Sequence, residues 1–193
     1  MKSGKLSRSS VPRPRNSHKQ ALAQSLLIIT GSMGAGKTAV LAEASDILSQ
    51  LRLAHAAIDV DALGLAHLPS AEPGDGATYE NLRSICKNYA SRGVRRFLLA
   101  LAIEDAAQLK LCRNMIPATE TLVCRLTASI EAMEQRVKIR ETGILRQDYV
   151  SRVAVLTTIL DRARLEDFTV SNENRSLTEV ASEMLVKARW ISA

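Results

Sequence analysis

The residues best suited to chemistry stand together at 31–38. Gly31-Ser32-Met33-Gly34-Ala35-Gly36-Lys37-Thr38 matches the pattern G-x-x-x-x-G-K-[ST]. Each residue type there answers a physical need. Glycines let successive backbone N–H groups turn inward around a phosphate with no Cβ in the way. A helix beginning at the same point adds the partial positive charge of its N-terminus. A lysine at position 37 reaches the β- and γ-phosphates, and the Thr38 hydroxyl is a ligand for Mg²⁺. The octapeptide predicts a cradle for a nucleoside triphosphate.

Two carboxylates follow in Ile58-Asp59-Val60-Asp61. On a strand, residues two apart face the same way. At the carboxyl edge of a parallel sheet they would face the crevice where α/β folds bind ligands. One carboxylate can hold a metal-bound water, and the other can orient or deprotonate a hydroxyl. The plainer alternative is that Asp61 caps the following turn and Asp59 is solvated. Arg83, Asn88 and Tyr89 fall on a helix after a loop at 69–77. Arg83 either pairs with an anionic acceptor or is a surface arginine.

The elements that must position these groups are legible from the apolar pattern. Residues 25–30 (SLLIIT) form a continuous apolar run without period-2 alternation, as expected of a strand buried on both faces. Helices are expected at 36–51, 78–91, 104–113, 129–141 and 147–164, and further strands at 54–60, 95–103, 120–126 and 168–171. Gly93 is a C-cap signal and Ser129 an N-cap signal. Ser176-Leu177-Thr178-Glu179 is a capping box opening a last helix, whose buried stripe would be Leu177, Val180, Met184, Leu185 and Ala188. Strands alternating with helices imply a three-layer α/β/α fold around a parallel sheet with right-handed crossovers.

The chain has 193 residues, 46% hydrophobic and 24% charged, which suits one globular domain. No apolar run is long enough to span a membrane. The net charge of +6 is not spread over the domain. Residues 1–20 hold Lys2, Lys5, Arg8, Arg13, Arg15 and Lys19 with no acid, so basic and acidic residues balance over 21–193. The first segment reads as a disordered basic tail, and the balanced body argues against nucleic-acid binding by the folded domain. Cys86, Cys112 and Cys124 lack metal-site or disulfide spacing and read as core fillers in a reducing cytoplasm.

Taken together, the Gly-x-x-Gly-x-Gly-Lys-Thr form, the Asp-x-Asp and the chain length resemble the small P-loop kinases. This group includes the shikimate, gluconate, adenylylsulfate and nucleoside monophosphate kinases. The resemblance implies a P-loop NTPase fold with five strands in the order 2-3-1-4-5. It also implies ATP and Mg²⁺ as cofactors, an acceptor region after strand two and an arginine-bearing lid. Lys37 and Thr38 match the phosphate and magnesium residues, and Asp61 matches the acceptor-side carboxylate; Asp59 beside it is expected to serve both the substrate and the metal. Arg136, Arg140 and Arg146 fall where the lid belongs. Arg136 and Arg146 would then join Gly31–Thr38 in holding nucleotide, and Arg140 would join Lys37 and Asp61 in catalysis. Otherwise these arginines form a solvated face paired with Glu134 and Glu141. The sequence also departs from the group. No Gly-Gly-Gly follows strand three, no Asp-Gly-Asp-Asn follows strand two, and Glu104 stands where a Walker B aspartate is usual. Glu104 either replaces that aspartate or favours its own helix N-terminus.

The expected function is transfer of the γ-phosphoryl of ATP to a hydroxyl or phosphate of a small-molecule acceptor. The alternative is a nucleotide-binding protein that acts as an ATPase switch or has no catalysis. Deleting residues 1–20 is expected to leave the melting temperature within about two degrees, because such a segment makes no core contact. Differential scanning calorimetry of the two chains checks this, and a larger drop would show that the segment packs on the domain.

Overall fold

In a computed structural model, the described residues are 24–64, 76–116 and 118–192. The tail at 1–20 and most of the loop expected at 69–77 lie outside them. Five parallel strands are ordered β2-β3-β1-β4-β5. They are β1 (Ser25–Thr30), β2 (His55–Asp59), β3 (Arg96–Ala100), β4 (Glu120–Thr127) and β5 (Phe168–Ser171). The helices are α1 (Lys37–Gln50), α2 (Gly76–Ser91), α3 (Ala106–Met115), α4 (Ile130–Arg140), α5 (Arg146–Ala163) and α6 (Leu177–Lys187). A 3₁₀ turn at Asp61–Gly64 follows β2.

The unbroken apolar run of β1 is explained by its place at the centre of the sheet, between β3 and β4. Leu27 and Ile29 face a core shared with Val40 and Leu48 of α1 and Val180 and Met184 of α6. Leu26 and Ile28 face a second core with Leu82 of α2 and Leu109 of α3. Because both faces are covered, neither register of polar residues is tolerated. The same logic buries all three cysteines, and burial holds the thiols of Cys86 and Cys124 up at about 12 and that of Cys112 at about 11. They stay protonated at neutral pH, as core fillers should.

Four local differences from the sequence expectation have clear causes. First, β3 stops at Ala100 and not at 103, because after Leu101 N–H bonds Ile29 O at 3.2 Å the next backbone partner is a side chain. Ile103 N–H donates to Thr30 Oγ1 at 2.9 Å. Second, α3 starts at Ala106, because Asp105 is its N-cap and accepts from Gln108 N–H at 2.8 Å. Third, α2 begins at Gly76, inside the stretch expected to be loop. Fourth, Leu177 is 40% exposed, since it sits in the first helical position of α6, just after the Ser176 cap and before the buried stripe begins. The capping box itself is present, with Ser176 and Glu179 bonding reciprocally.

Phe97 is among the largest fully buried side chains and lies on the second core. Phe97→Ala is expected to lower unfolding free energy by about 3–5 kcal/mol, the usual cost of deleting a buried ring. Urea unfolding with an unchanged m-value would establish it.

Candidate nucleotide and acceptor site

The glycine-rich loop runs from the carboxyl end of β1 into α1. Its three glycines adopt backbone conformations that other residues avoid, Gly31 at φ 151°, Gly34 at φ 77° and Gly36 at φ 95°. A Cβ at Gly34 would also run into the Met133 backbone, and one at Gly36 into the Asn172 side chain. These positions are closed to any side chain for reasons of both torsion and space. No side chain caps α1, so its first N–H groups point into the loop with no side-chain partner.

Inward N–H groups require the loop carbonyls to go elsewhere, and four of them meet side-chain donors. Lys37 Nζ donates to Gly31 O at 3.1 Å and Ser32 O at 3.4 Å. Asn172 Nδ2 donates to Ala35 O at 2.8 Å. Arg136 donates to Gly34 O at 3.2 Å and, through its other terminal nitrogen, to Asn172 O at 2.7 Å. From the α5 side, Val153 O accepts from Ser32 Oγ at 2.8 Å. Met33 is partly buried against the same core, and Ala35 is fully buried.

Burial pushes the Lys37 ammonium below its ordinary pKa. Asp61 and then Asp59 pull it back up, while Arg140 pushes it down. Those effects place Asp59, Asp61 and Arg140 within electrostatic reach of the loop lysine. Thr38 Oγ1 donates to Asp59 Oδ2 at 2.6 Å, and Asp61 N–H donates to Asp59 Oδ1 at 3.2 Å. The two aspartates are therefore joined, but not as neighbours on a strand. Here β2 ends at Asp59, and Asp61 opens the 3₁₀ turn. Asp61 lines a cavity of about 250 Å³ at the carboxyl edge of the sheet, together with Thr78, Tyr79 and Gln108.

The arginines divide in a way their spacing does not reveal. Arg136 does not reach over the loop as a lid residue would. Both terminal nitrogens of its guanidinium are spent on carbonyls beneath it. Arg140 is exposed and donates to Glu141 Oε1 at 2.7 Å. Arg146 is exposed at the start of α5. Arg83 is not in the acceptor region. It lines a separate cavity of about 290 Å³ with Gln24, Phe97 and Ile116, at the amino edge of the sheet and opposite the loop. The cause is the run of α2, which starts beside Asp61 and descends past Arg83 to the far edge.

Glu104 is paired with an arginine, and the helix cap falls to its neighbour. Asp105 caps α3, and both Glu104 oxygens accept from Arg152 Nη2, at 2.8 and 2.7 Å. Arg152 and Asn172 are positions bonded to the loop and its surroundings that the sequence does not flag. They lie far along the chain from their partners, and no local pattern marks them. Among the described residues no cluster of three or more His, Cys, Asp or Glu forms a ready-made metal cage. Thr38 and Asp59 nonetheless bring two hard oxygen donors into contact, which suits Mg²⁺, an ion that keeps most of its waters.

Solved structures share this fold. An APS kinase from Mycobacterium tuberculosis, in complex with AMPPNP and APS, is 19% identical with a TM-score of 0.59, over 86% of this chain and 98% of that one. A gluconokinase from Sinorhizobium meliloti 1021 is 18% identical with a TM-score of 0.56, over 86% and 93%. A shikimate kinase from Acinetobacter baumannii, in complex with shikimate, is 17% identical with a TM-score of 0.55, over 88% and 95%. No protein-family model matches the chain, and neither does any curated protein sequence. At these identities the likeness is one of architecture: the chain has the fold of the small P-loop kinases.

Arg136→Met removes both donors to the carbonyls under the loop. It is expected to weaken ATP binding by about tenfold and to destabilise the fold by about 1–3 kcal/mol, the cost of leaving buried acceptors unmet. Arg146→Met is expected to leave stability unchanged. Nucleotide titration and thermal unfolding of both variants separate a clamp beneath the loop from a lid above it.

Proposed function

We propose that the chain is an ATP-dependent small-molecule kinase. The observation that carries this reading is the junction of the phosphate loop with the two aspartates. The Thr38–Asp59 contact ties the loop to the end of β2, and Asp61 continues from it into the acceptor cavity. A nucleotide site and a second, carboxylate-bearing cavity therefore share one edge of the sheet. The kinase folds of the structural neighbours support the same reading.

The roles follow from position. The backbone N–H groups of 31–38 and the first turn of α1 hold the β- and γ-phosphates, with Lys37 neutralising their charge. Thr38 and Asp59 would hold Mg²⁺, which when bound offsets charge on the outer phosphates. Asp61 orients the acceptor hydroxyl and takes its proton. The acceptor oxygen bonds to the γ-phosphorus as the bond from phosphorus to the β,γ-bridging oxygen breaks, and ADP leaves with that electron pair. Arg140, whose charge is felt by Lys37, would add positive charge beside the transferring group. Catalysis in this scheme is positioning and charge neutralisation.

Lys37→Ala should abolish turnover with the fold intact. Asp61→Asn should lower acceptor-dependent turnover by roughly 10²–10⁴, the range for a general base, with ATP affinity nearly unchanged. Asp59→Asn should raise the magnesium concentration needed for half-maximal rate. Steady-state kinetics beside nucleotide titration read all three. ATP binding without phosphoryl transfer to any acceptor would instead favour a non-catalytic nucleotide-binding protein.

A further inference from the structure

The layer of α2 and α3 has a cavity at each end. One holds Asp61. The other, of about 290 Å³, opens at the amino edge of the sheet and shares no lining residue with the first or with the phosphate loop. Its walls are α2, the start of β3 and the end of α3. The base is apolar. Phe97 and Ile116 are fully buried there, and Ala90 and Met115 are half-buried.

Two cations stand over that base. Arg83 and Lys87 lie one turn apart on α2, and both line the cavity. Like charges at this spacing repel each other. Among the described residues no acid lines the cavity, and neither Arg83 nor Lys87 has a hydrogen-bond or ion-pair partner. The arginines just beyond them behave differently. Arg92 donates to Asn88 O at 2.9 Å, and Arg95 donates to Ala90 O at 3.1 Å and Val94 O at 3.0 Å. The donors of Arg83 and Lys87 are therefore the uncommitted ones at this edge of the sheet. Gln24 and Asn114 add side-chain amides to the same lining.

We infer that this cavity is a second ligand site, separate from the nucleotide crevice, and that it takes a small amphipathic carboxylate. Arg83 gives the carboxylate paired N–H bonds, and Lys87 adds a compact charge beside them. The apolar body of the ligand covers Ala90 and Met115 and leaves water. A neutral ligand would leave the two cations repelling each other, and a wholly hydrophilic anion would gain nothing from the base. The volume lies at the small end for ligand sites, which limits the body to one ring or a short chain.

Calorimetric titration of the full chain with 3-phenylpropionate tests this, with acetate as the head alone and benzyl alcohol as the ring alone. Phenylpropionate is expected to bind at least about tenfold more tightly than either, because head and body each contribute. Arg83→Gln and Lys87→Gln are each expected to weaken it by about tenfold, the factor that a hydrogen bond to a charged group is worth. Both side chains are exposed, so both variants should fold and bind ATP as the parent does. Saturating ATP with Mg²⁺ is expected to leave phenylpropionate binding unchanged. The inference is overturned if the parent chain does not bind phenylpropionate, if acetate binds as well, or if both variants bind like the parent. Displacement of phenylpropionate by ATP overturns it too, since the carboxylate would then sit in the phosphate loop. Failure of ATP itself to bind, with phenylpropionate still dependent on Arg83 and Lys87, overturns the kinase reading and upholds this site.

Discussion

A loop whose N–H groups converge on a phosphate must send its carbonyl oxygens outward, and buried carbonyls need donors. This constraint organises the phosphate end of the molecule. Gly31 O and Ser32 O are met by Lys37, Gly34 O by Arg136, and Ala35 O by Asn172. Arg136 also bonds Asn172 O, so the two outside donors brace each other. The glycines at 34 and 36 are the counterpart of this bracing. Where Met133 and Asn172 press against the loop, no Cβ can stand.

The acidic side of the crevice is built by the same economy of partners. Asp59 serves Thr38 with one oxygen and the backbone of Asp61 with the other. That second bond turns the chain out of β2 and into the 3₁₀ turn, which carries Asp61 into the cavity lined by Thr78, Tyr79 and Gln108. After β3, Glu104 is held by Arg152 from α5. The residue after β3 that stands at the Walker B place therefore faces a guanidinium, while Asp59 is the carboxylate that bonds Thr38.

Much of this was open to a reader of the sequence. A strand covered on both faces shows as a short apolar run, so β1 and its neighbours were visible, and the alternation with helices implied the sheet. The loop was visible because phosphate binding, left-handed torsions and helix initiation all demand particular residues within eight positions. The arginines were not. A guanidinium at the end of a long side chain can pair above or below its helix, and only the packed fold decides between Gly34 O and a bound phosphate for Arg136. Arg83 fits the surface alternative, because a helix antiparallel to its strands carries residues from one edge of the sheet to the other. Arg152 and Asn172 had no local signal, because their partners are brought near only by tertiary contact.

The clamp on the loop also bears on how the molecule is made. Its donors lie 102 and 137 residues beyond the carbonyls they hold, and Val153 O lies 121 beyond Ser32. A chain emerging from the ribosome would expose the complete octapeptide long before the donors that shape it exist. Contacts of such long range also slow folding, because loop closure must precede any gain from them. The phosphate cradle is thus among the last features to acquire its form.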